Sequence, residues 1–185
     1  MDTTQLLKSA SDLVPKLKSR AQLTEDLRQI PQDTIRDLLG CGIYQIGIPR
    51  SYSGNSVKYG VCLDVGVELA KGCGSAAWCY SLWTAHAFLI GHWPLATQDE
   101  VFGGSEFPLC SSSLNPERSE MQAVDGGYKL SGRWEFSSGC DAAGWVILGA
   151  PKFQERTWLL LPRQDYEIVD NWFVSGLKGT GSKDI

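Results

Sequence analysis

The sequence predicts an α+β fold, in which an all-helical N-terminal domain is followed by an antiparallel β-barrel or sandwich domain. Through residues 1–104, apolar side chains recur at the spacing of helices that bury one face. Beyond this point, short runs rich in β-branched and aromatic residues alternate with glycine-containing turns. Helices followed by strands are typical of the α+β class. We therefore expect a helical domain over 1–104 and a central β-domain over 105–185.

Two helices are expected near the N-terminus. The first is indicated by apolar residues at helical spacing: Leu6, Leu7, Ala10, Leu13, Val14 and Leu17. Pro15, within this set, either kinks the helix or restarts it. Pro31 stands where the first turn of a second helix would be, and Gly40 ends that helix. Residues 43–49 then predict an extended apolar link.

Three further helices complete the first domain. Residues 57–71 alternate like a strand, but their length favours a helix. Ser75 is the expected cap of the next helix, which is apolar on both sides and is therefore expected to be buried. One side carries Trp78, Leu82, Ala85 and Leu89, and the other carries Cys79, Trp83, His86 and Ile90. Thr97 with Glu100 resembles the capping box of a last, short helix.

The second domain is predicted from short strands and turns. Residues 125–127, Asp-Gly-Gly, are a hairpin signal between two of the strands. Residues 144–150 are apolar on both faces, as in a strand covered on both sides. The remaining expected strands are 109–113, 121–124, 157–161, 167–169 and 172–174.

A longer strand is expected from residue 128 onward, and it carries the most informative pattern. One predicted face holds Tyr128, Leu130, Gly132, Trp134 and Phe136, and polar residues occupy the alternate positions. The apolar face leads into two hydroxyls, Ser137 and Ser138, and then a glycine. An aromatic face that ends in hydroxyl groups suits a flat, amphipathic ring with hydrogen-bonding edges, such as a flavin.

Composition excludes several classes of function. The chain has 17 basic and 21 acidic side chains, and this mildly negative balance argues against a nucleic acid or an anionic membrane as partner. The longest apolar run, 75–91, falls short of the roughly 20 residues of a membrane-spanning helix. The six cysteines show neither a CxxC pair nor metal-ligand spacing, so we expect reduced thiols, no metal and a cytoplasmic location.

Four stretches together resemble the oxygenase components of two-component flavin-dependent monooxygenases, of the p-hydroxyphenylacetate and hydroxysteroid hydroxylase type. They are residues 74–78 with the following His86, residues 132–141, residues 176–182, and residues 46–49 before a glycine loop. The resemblance implies an acyl-CoA-dehydrogenase-like fold with a helical domain, a β-domain and a C-terminal four-helix bundle. The bundle has no counterpart in this sequence, and residue 185 falls where a strand begins, so we expect a chain that lacks its C-terminal portion.

The resemblance also implies a chemistry. Reduced FMN or FAD, supplied by a separate flavin reductase, would form a C4a-hydroperoxide that hydroxylates a small aromatic or polycyclic phenol-like substrate. A hydroxyl from residues 136–139 would lie at flavin N5, and the alternation favours Ser138 over Ser137 unless a bulge at Gly139 reverses them. Without the resemblance, the better interpretation is that both serines merely end a strand. Family members form homo-oligomers through the bundle, so such an assembly is expected of a full-length protein.

The helix over residues 75–90 supplies a second candidate catalytic residue, His86. In related phenol hydroxylases, a histidine on the corresponding helix contacts the substrate phenol. An imidazole that titrates near neutrality suits a base or hydrogen-bond acceptor there. The alternative is a core histidine that hydrogen-bonds to a backbone carbonyl.

The other candidate site residues are aromatic or carry hydroxyls. Trp134 and Phe136 are expected at the flavin. The resemblance places Ser112 and Ser113 where either could bind the flavin or the substrate, although a solvated strand end is an equal alternative. Trp78 and Trp83 are expected to form walls for the aromatic substrate, although at helical spacing both could be core residues.

Two other functions remain open from the sequence. An acyl-CoA dehydrogenase relative would need a carboxylate base and a groove for CoA. A non-catalytic fragment or subunit would pair with a separate helical half.

Overall fold

The computed structural model describes residues 1–104, 108–150 and 157–185. Over these residues the chain forms five α-helices and five β-strands. The helices are α1 (Thr3–Leu27), α2 (Gln32–Gly40), α3 (Val61–Ala70), α4 (Gly74–Ile90) and α5 (Leu95–Phe102). The strands are β1 (Cys110–Ser113), β2 (Ser119–Val124), β3 (Gly127–Gly132), β4 (Trp145–Gly149) and β5 (Trp158–Pro162). The predicted α+β class is confirmed.

The first two helices form where the sequence predicts them. At the start of α1, Asp2 and Gln5 form a reciprocal capping box that satisfies free backbone N–H groups. The helix continues through Pro15 as one 25-residue element, so the restart considered above does not occur. Pro31 is the residue that precedes α2, and its fixed φ of −60° suits that position.

Two predicted helix caps are wrong. Ser75 lies inside α4, which begins at Gly74, and its hydroxyl donates to Glu25 Oε1 (2.6 Å) instead of capping. Thr97 lies inside α5, which begins at Leu95 because Pro94 already directs the chain into the helix.

The predicted extended link over residues 43–49 is also wrong. Tyr44–Ile46 form a 3₁₀ turn, and both of its end residues are buried. The Tyr44 hydroxyl donates to the Pro108 carbonyl oxygen (2.7 Å), which joins this turn to the residues before β1. A compact turn buries these apolar residues and gives the tyrosine hydroxyl an acceptor.

The strands form two separate sheets, not a closed barrel. In the larger sheet, β4 is central, with β1 parallel to it and β5 antiparallel. The second sheet is the antiparallel hairpin β2–β3, which turns at Asp125 and Gly126 as predicted. The expectation of an antiparallel barrel is wrong, because β1 and β4 are parallel neighbours. Parallel neighbours need a long crossover connection, and the segment that contains the β2–β3 hairpin provides it. β4 is almost wholly buried, as its apolar sequence predicts.

The long strand predicted from residue 128 ends at Gly132, whose φ is +155°. The following residues pair with the last residues of the chain: Trp134 exchanges two backbone hydrogen bonds with Ile185, both 2.8 Å. The predicted alternation therefore does not extend to Phe136. Residues 167–169 and 172–174 also form no strand; Val169 makes a single bridge to Asp184.

One main core joins the helices to the larger sheet. Leu109, Cys110 and Ile147 pack into the same cluster as the apolar faces of the helices. A second, smaller cluster holds Trp134 and Ile185. Residues 105–107, where the predicted domain boundary falls, lie outside the described residues. In the described part of the chain, no helix is both long enough and apolar enough to cross a membrane.

Candidate active site

A cleft of about 510 Å³ opens between α4 and the irregular segments that follow β3 and β5. Trp78 and Leu82 on α4 form one wall, and Ser112 on β1 contributes to its lining. The remaining lining residues come from the two irregular segments: Phe136, Ser138, Trp172, Val174, Ser175, Gly176, Leu177, Thr180 and Ser182. None of these lining side chains is charged.

Phe136 projects into the cleft because its backbone is left-handed. Its φ is +66°, a conformation that is an outlier for a bulky residue, and 65% of its surface is exposed. The ring meets Trp172 edge-on, with ring centroids 6.2 Å apart. Non-glycine residues held in this region of φ and ψ cluster at ligand sites, where surrounding structure maintains them. Two aromatic rings are thus presented to the cleft.

Ser138 lies in the cleft at the centre of a small hydrogen-bond cluster. Its hydroxyl oxygen accepts from the indole N–H of Trp78 (3.2 Å) and pairs with the Ser182 hydroxyl (2.9 Å). Ser138 and Ser182 are both buried, whereas about half of Trp78 is exposed. The backbone N–H of Gly139 donates to the Thr180 carbonyl (2.7 Å), which holds the two irregular segments together.

Glu25, near the end of α1, binds one side of the cleft loop, residues 170–182, which contributes much of the cleft lining. Its carboxylate accepts from the Ser75 hydroxyl (2.6 Å) and from the backbone N–H groups of Lys178 (2.9 Å) and Gly179 (3.1 Å). Partial burial raises the pKa of Glu25, but these three hydrogen bonds outweigh it and leave the pKa below its ordinary value. A Cβ at Gly179 would lie 2.3 Å from Thr24 Cγ2, so only glycine permits this approach.

Arg28, at the end of α1, binds the other side of this loop. Its guanidinium makes a two-pronged contact with the Asp170 carboxylate (2.7 and 2.6 Å) and also donates to the Trp172 carbonyl (3.2 Å). It stacks over the Phe173 ring at 4.1 Å. One helix end therefore fixes the loop on both sides of the cleft-lining residues 174–177.

His86 is buried beside the cleft wall and is not among the residues that line the cleft. It follows Leu82 by one helical turn, and its Nδ1 lies 2.6 Å from the carbonyl oxygen of Cys110 on β1. A carbonyl only accepts, so Nδ1 carries the proton and Nε2 is left as an acceptor. Burial lowers the pKa of His86, partly opposed by this hydrogen bond, so the imidazole is neutral at neutral pH.

Two of the candidate serines lie beneath the cleft. Ser137 is fully buried and its hydroxyl donates to Ser111 Oγ (3.0 Å). The Ser113 hydroxyl donates to the Glu135 carbonyl (2.5 Å). Of the hydroxyl candidates, the structure thus brings Ser112 and Ser138 into the cleft and leaves the other two below it.

Two of the candidate tryptophans are core residues. Trp83 is 1% exposed and donates its indole N–H to the Gly139 carbonyl (3.3 Å), directly under the cleft. Trp134 faces the smaller core cluster and donates to the Gly149 carbonyl (2.9 Å). Of the aromatic candidates, the structure thus brings only Trp78 and Phe136 to the cleft surface.

The same combination of fold and sequence occurs in known proteins. The chain is 34% identical to the flavin-dependent monooxygenase oxygenase subunit HsaA of Mycobacterium tuberculosis, in an alignment covering 100% of this chain and 48% of HsaA. The crystal structure of that HsaA superposes with a TM-score of 0.93, again over the whole chain and 52% of HsaA. This chain is a homologue of flavin-dependent monooxygenase oxygenase subunits. The acyl-CoA-dehydrogenase-like fold implied by the resemblance is confirmed.

Two other oxygenase components are similar to the chain. The FADH₂-dependent resorcinol hydroxylase of a Rhizobium species is 35% identical, over 91% of this chain and 42% of the hydroxylase. The p-hydroxyphenylacetate 3-hydroxylase of Acinetobacter baumannii is 32% identical, over 96% and 43%. The chain thus spans about half the length of the curated relatives it matches. No model of a protein family matches the chain.

The cleft fits the ring of a flavin, on which HsaA and the resorcinol hydroxylase depend by name. Aromatic surfaces at Phe136 and Trp172 suit the flat faces of the ring, and the Ser138 hydroxyl suits its hydrogen-bonding edge. The described lining residues carry no cation for a flavin phosphate, so they match the ring and not the phosphate. Among the described residues, no cluster of His, Cys, Asp or Glu side chains is arranged to hold a metal ion.

Sequence reasoning missed the contribution of the second irregular segment. Ser182, Thr180 and Leu177 belong to a stretch that carried the resemblance but received no site role, and Trp172 was expected on a strand. The glycines at positions 179 and 181 were a usable signal, because they permit close backbone approach. The pairing of residues 134–137 with 183–185, which brings Ser182 to Ser138, has no signature in either segment alone.

Proposed function

We propose that the chain forms the flavin-binding part of a monooxygenase oxygenase component that hydroxylates a small aromatic, phenol-like substrate. The observation that carries this proposal is the position of Ser138. Its hydroxyl lies in an uncharged, aromatic-walled cleft, with one fixed donor at Trp78 and one hydroxyl partner at Ser182. HsaA, which shares the fold, is named as a monooxygenase, and two further relatives with about a third of the sequence identical are named as hydroxylases.

In this proposal, bound reduced flavin supplies the activation of molecular oxygen. Ser138 hydrogen-bonds to the N5 edge of the ring, and its burial keeps that contact from exchanging with water. Phe136 and Trp172 cover the ring, and the described cleft lining has no charged side chain that would hold water against it. Trp78 orients the Ser138 oxygen and adds apolar surface for the aromatic substrate.

Although His86 is buried and does not line the cleft, it is proposed to accept a hydrogen bond through Nε2 from a phenol bound against the α4 wall. The Cys110 carbonyl fixes the Nδ1–H tautomer, and burial keeps the ring neutral, so the Nε2 lone pair is available near neutral pH. Partial removal of the phenol proton makes the aromatic ring a better nucleophile. Ser112, two residues after Cys110 on the same strand, lies on the cleft surface where it can contact either flavin or substrate.

The proposal extends to partners and location. The homologues are named as oxygenase subunits or components, so we infer that a separate flavin reductase supplies the reduced flavin. All six cysteines are free thiols, as expected for a cytoplasmic protein, and a cytoplasmic location belongs to the same proposal. Homo-oligomer formation is proposed for the full-length protein.

Anaerobic titration of the 185-residue chain with reduced FMN and FAD tests the proposal. We expect saturable binding of at least one flavin, and Ser138→Ala to weaken it about fivefold, the equivalent of one hydrogen bond. Ser137→Ala is the matched control, because Ser137 is the adjacent buried serine but lies beneath the cleft. Failure of both flavins to bind a folded chain, or equal effects of the two substitutions, would refute the assignment of this site.

A second measurement addresses the oxygenase chemistry. With reduced flavin, oxygen and a phenol present, hydroxylated product should form, and the remaining oxygen consumed should appear as hydrogen peroxide. Ser138→Ala should raise the fraction released as peroxide, whereas Ser137→Ala should leave it unchanged. Flavin binding without any hydroxylated product from simple phenols or resorcinols would contradict the proposed reaction but not the flavin site.

A further inference from the structure

Two hydroxyl groups, those of Ser138 and Ser182, lie 2.9 Å apart and both line the cleft. Both residues are buried, with 8% and 5% of their surfaces exposed. They come from separate segments, which the hydrogen bonds from Gly139 N–H to the Thr180 carbonyl (2.7 Å) and from Ser137 N–H to the Lys183 carbonyl (2.8 Å) hold together. The pair is therefore a fixed feature of the cleft.

The bonding of Ser138 is constrained on one side and reversible on the other. The Trp78 indole N–H can only donate, so its 3.2 Å contact always occupies one lone pair of the Ser138 oxygen. A pair of hydroxyls has no such restriction, because each can donate or accept. If Ser138 donates to Ser182, it presents a lone pair to the cleft. If Ser138 instead accepts from Ser182, it presents its proton.

This reversibility matches a difference between the two redox states of flavin. Ring nitrogen N5 is a hydrogen-bond acceptor in oxidised flavin and carries a proton in reduced flavin. Facing oxidised flavin, Ser138 would accept from Trp78 and Ser182 and donate to N5. Facing reduced flavin, it would accept from Trp78 and from N5–H and donate to Ser182. Each arrangement gives Ser138 three hydrogen bonds.

We propose that Ser182 is a positioning residue that lets Ser138 reverse its hydrogen bond, so that one hydroxyl serves both redox states of the flavin. The inference rests on the proposed function, because it takes Ser138 to be the residue at N5. Without the Ser182 hydroxyl, Ser138 can still donate to oxidised flavin. When it accepts a hydrogen bond from reduced flavin, however, its own proton no longer has the Ser182 oxygen as acceptor. A buried unsatisfied donor weakens binding.

Ser182→Ala should therefore weaken the binding of reduced flavin more than that of oxidised flavin. The measurement is the dissociation constant of each redox state of FMN and FAD, by anaerobic titration for the reduced state. We expect the ratio of the reduced to the oxidised dissociation constant to rise about five- to tenfold. Ser182→Thr keeps a hydroxyl at this position and should restore the wild-type ratio.

The chain contains a matched control pair. Ser137 and Ser111 form the same kind of hydroxyl pair, at 3.0 Å and fully buried, but neither lines the cleft. Ser111→Ala should leave the ratio of dissociation constants unchanged, even where it lowers stability. Because the ratio compares two ligands on one variant, a general loss of folded protein cancels from it.

The outcomes separate this inference from the proposed function. If the wild-type chain binds both redox states and Ser182→Ala changes both dissociation constants by the same factor, the inference is overturned while the flavin site stands. A Ser182→Thr variant that behaves like Ser182→Ala would also overturn it. If the folded wild-type chain binds neither redox state, the proposed flavin site itself fails, and the inference fails with it.

Discussion

Replacing Gly139 with alanine should destabilise the protein more than any single glycine-to-alanine change in an open turn. Gly139 has a φ of +71° and follows Ser138 directly. A Cβ built at this position would lie 2.6 Å from Nε1 and 2.8 Å from two carbons of the Trp83 indole. That indole is 1% exposed and donates to the Gly139 carbonyl (3.3 Å), so it has little room to move.

The expected magnitude has two parts. A left-handed conformation costs a non-glycine residue about 1–2 kcal/mol. Forcing extra volume into a packed core costs about 1–3 kcal/mol more. Gly139→Ala should thus lower the free energy of unfolding by about 2–5 kcal/mol, which is a large share of the stability of a typical domain.

Gly126→Ala separates the two parts. Gly126 has a similar φ of +81°, in the β2–β3 turn, but a Cβ there would have no heavy atom within 4 Å. This variant should lose only the conformational part, about 1–2 kcal/mol. Urea unfolding followed by tryptophan fluorescence measures both variants. Equal losses of unfolding free energy in the two variants would show that the Trp83 indole moves aside without an energetic penalty, and would refute the packing argument.

Three further predictions concern charged or titratable groups. Glu25→Gln should lower the free energy of unfolding by about 1–2 kcal/mol at neutral pH. Because the pKa of Glu25 is lowered in the folded protein, the stability that its carboxylate contributes is fully present above the ordinary glutamate pKa. That stability is lost as the pH falls through the folded-state pKa. The free energy of unfolding should therefore vary less with pH in this acidic range in Glu25→Gln than in the wild type. Since burial lowers the pKa of His86, hydroxylation should persist below about pH 6.5, and an acid limb above that pH would contradict the role of a neutral imidazole. Arg28→Lys cannot form the two-pronged contact with Asp170. The Trp172 contribution to fluorescence, measured as the difference from the matching Trp172→Phe variant, should therefore shift towards that of a solvent-exposed indole, and an unchanged difference spectrum would show that the loop is held otherwise.

The helical half could be predicted from the sequence because its signals are local. Apolar spacing located α1 and α4, Pro31 with Gly40 delimited α2 closely, and length favoured a helix where α3 forms. The errors fell where a side chain had a distant partner. Ser75 reads as a cap, but its hydroxyl bonds Glu25 in another helix. Such a contact between positions 50 residues apart leaves no mark on the local pattern.

The cleft was only partly predictable for the same reason. Alternation favoured Ser138 over Ser137, and the structure does place Ser138 in the cleft and Ser137 beneath it. The argument behind that choice was incomplete, because Trp134 and Phe136 face different ways. The left-handed backbone at Phe136 separates them, and nothing in a phenylalanine predicts a positive φ. The partners of Ser138 lie 44 and 60 residues away along the chain.

The attachment of the cleft loop to the end of α1 has a consequence for how the protein folds. Arg28 and Asp170 are 142 positions apart, and Glu25 and Gly179 are 154 apart. Contacts of such long sequence separation form slowly, because a large loop of chain must be closed before they contribute. During synthesis, α1 leaves the ribosome long before the residues that it will hold. We expect the helices to assemble first, and the cleft to take shape only when residues 170–182 reach the first helix.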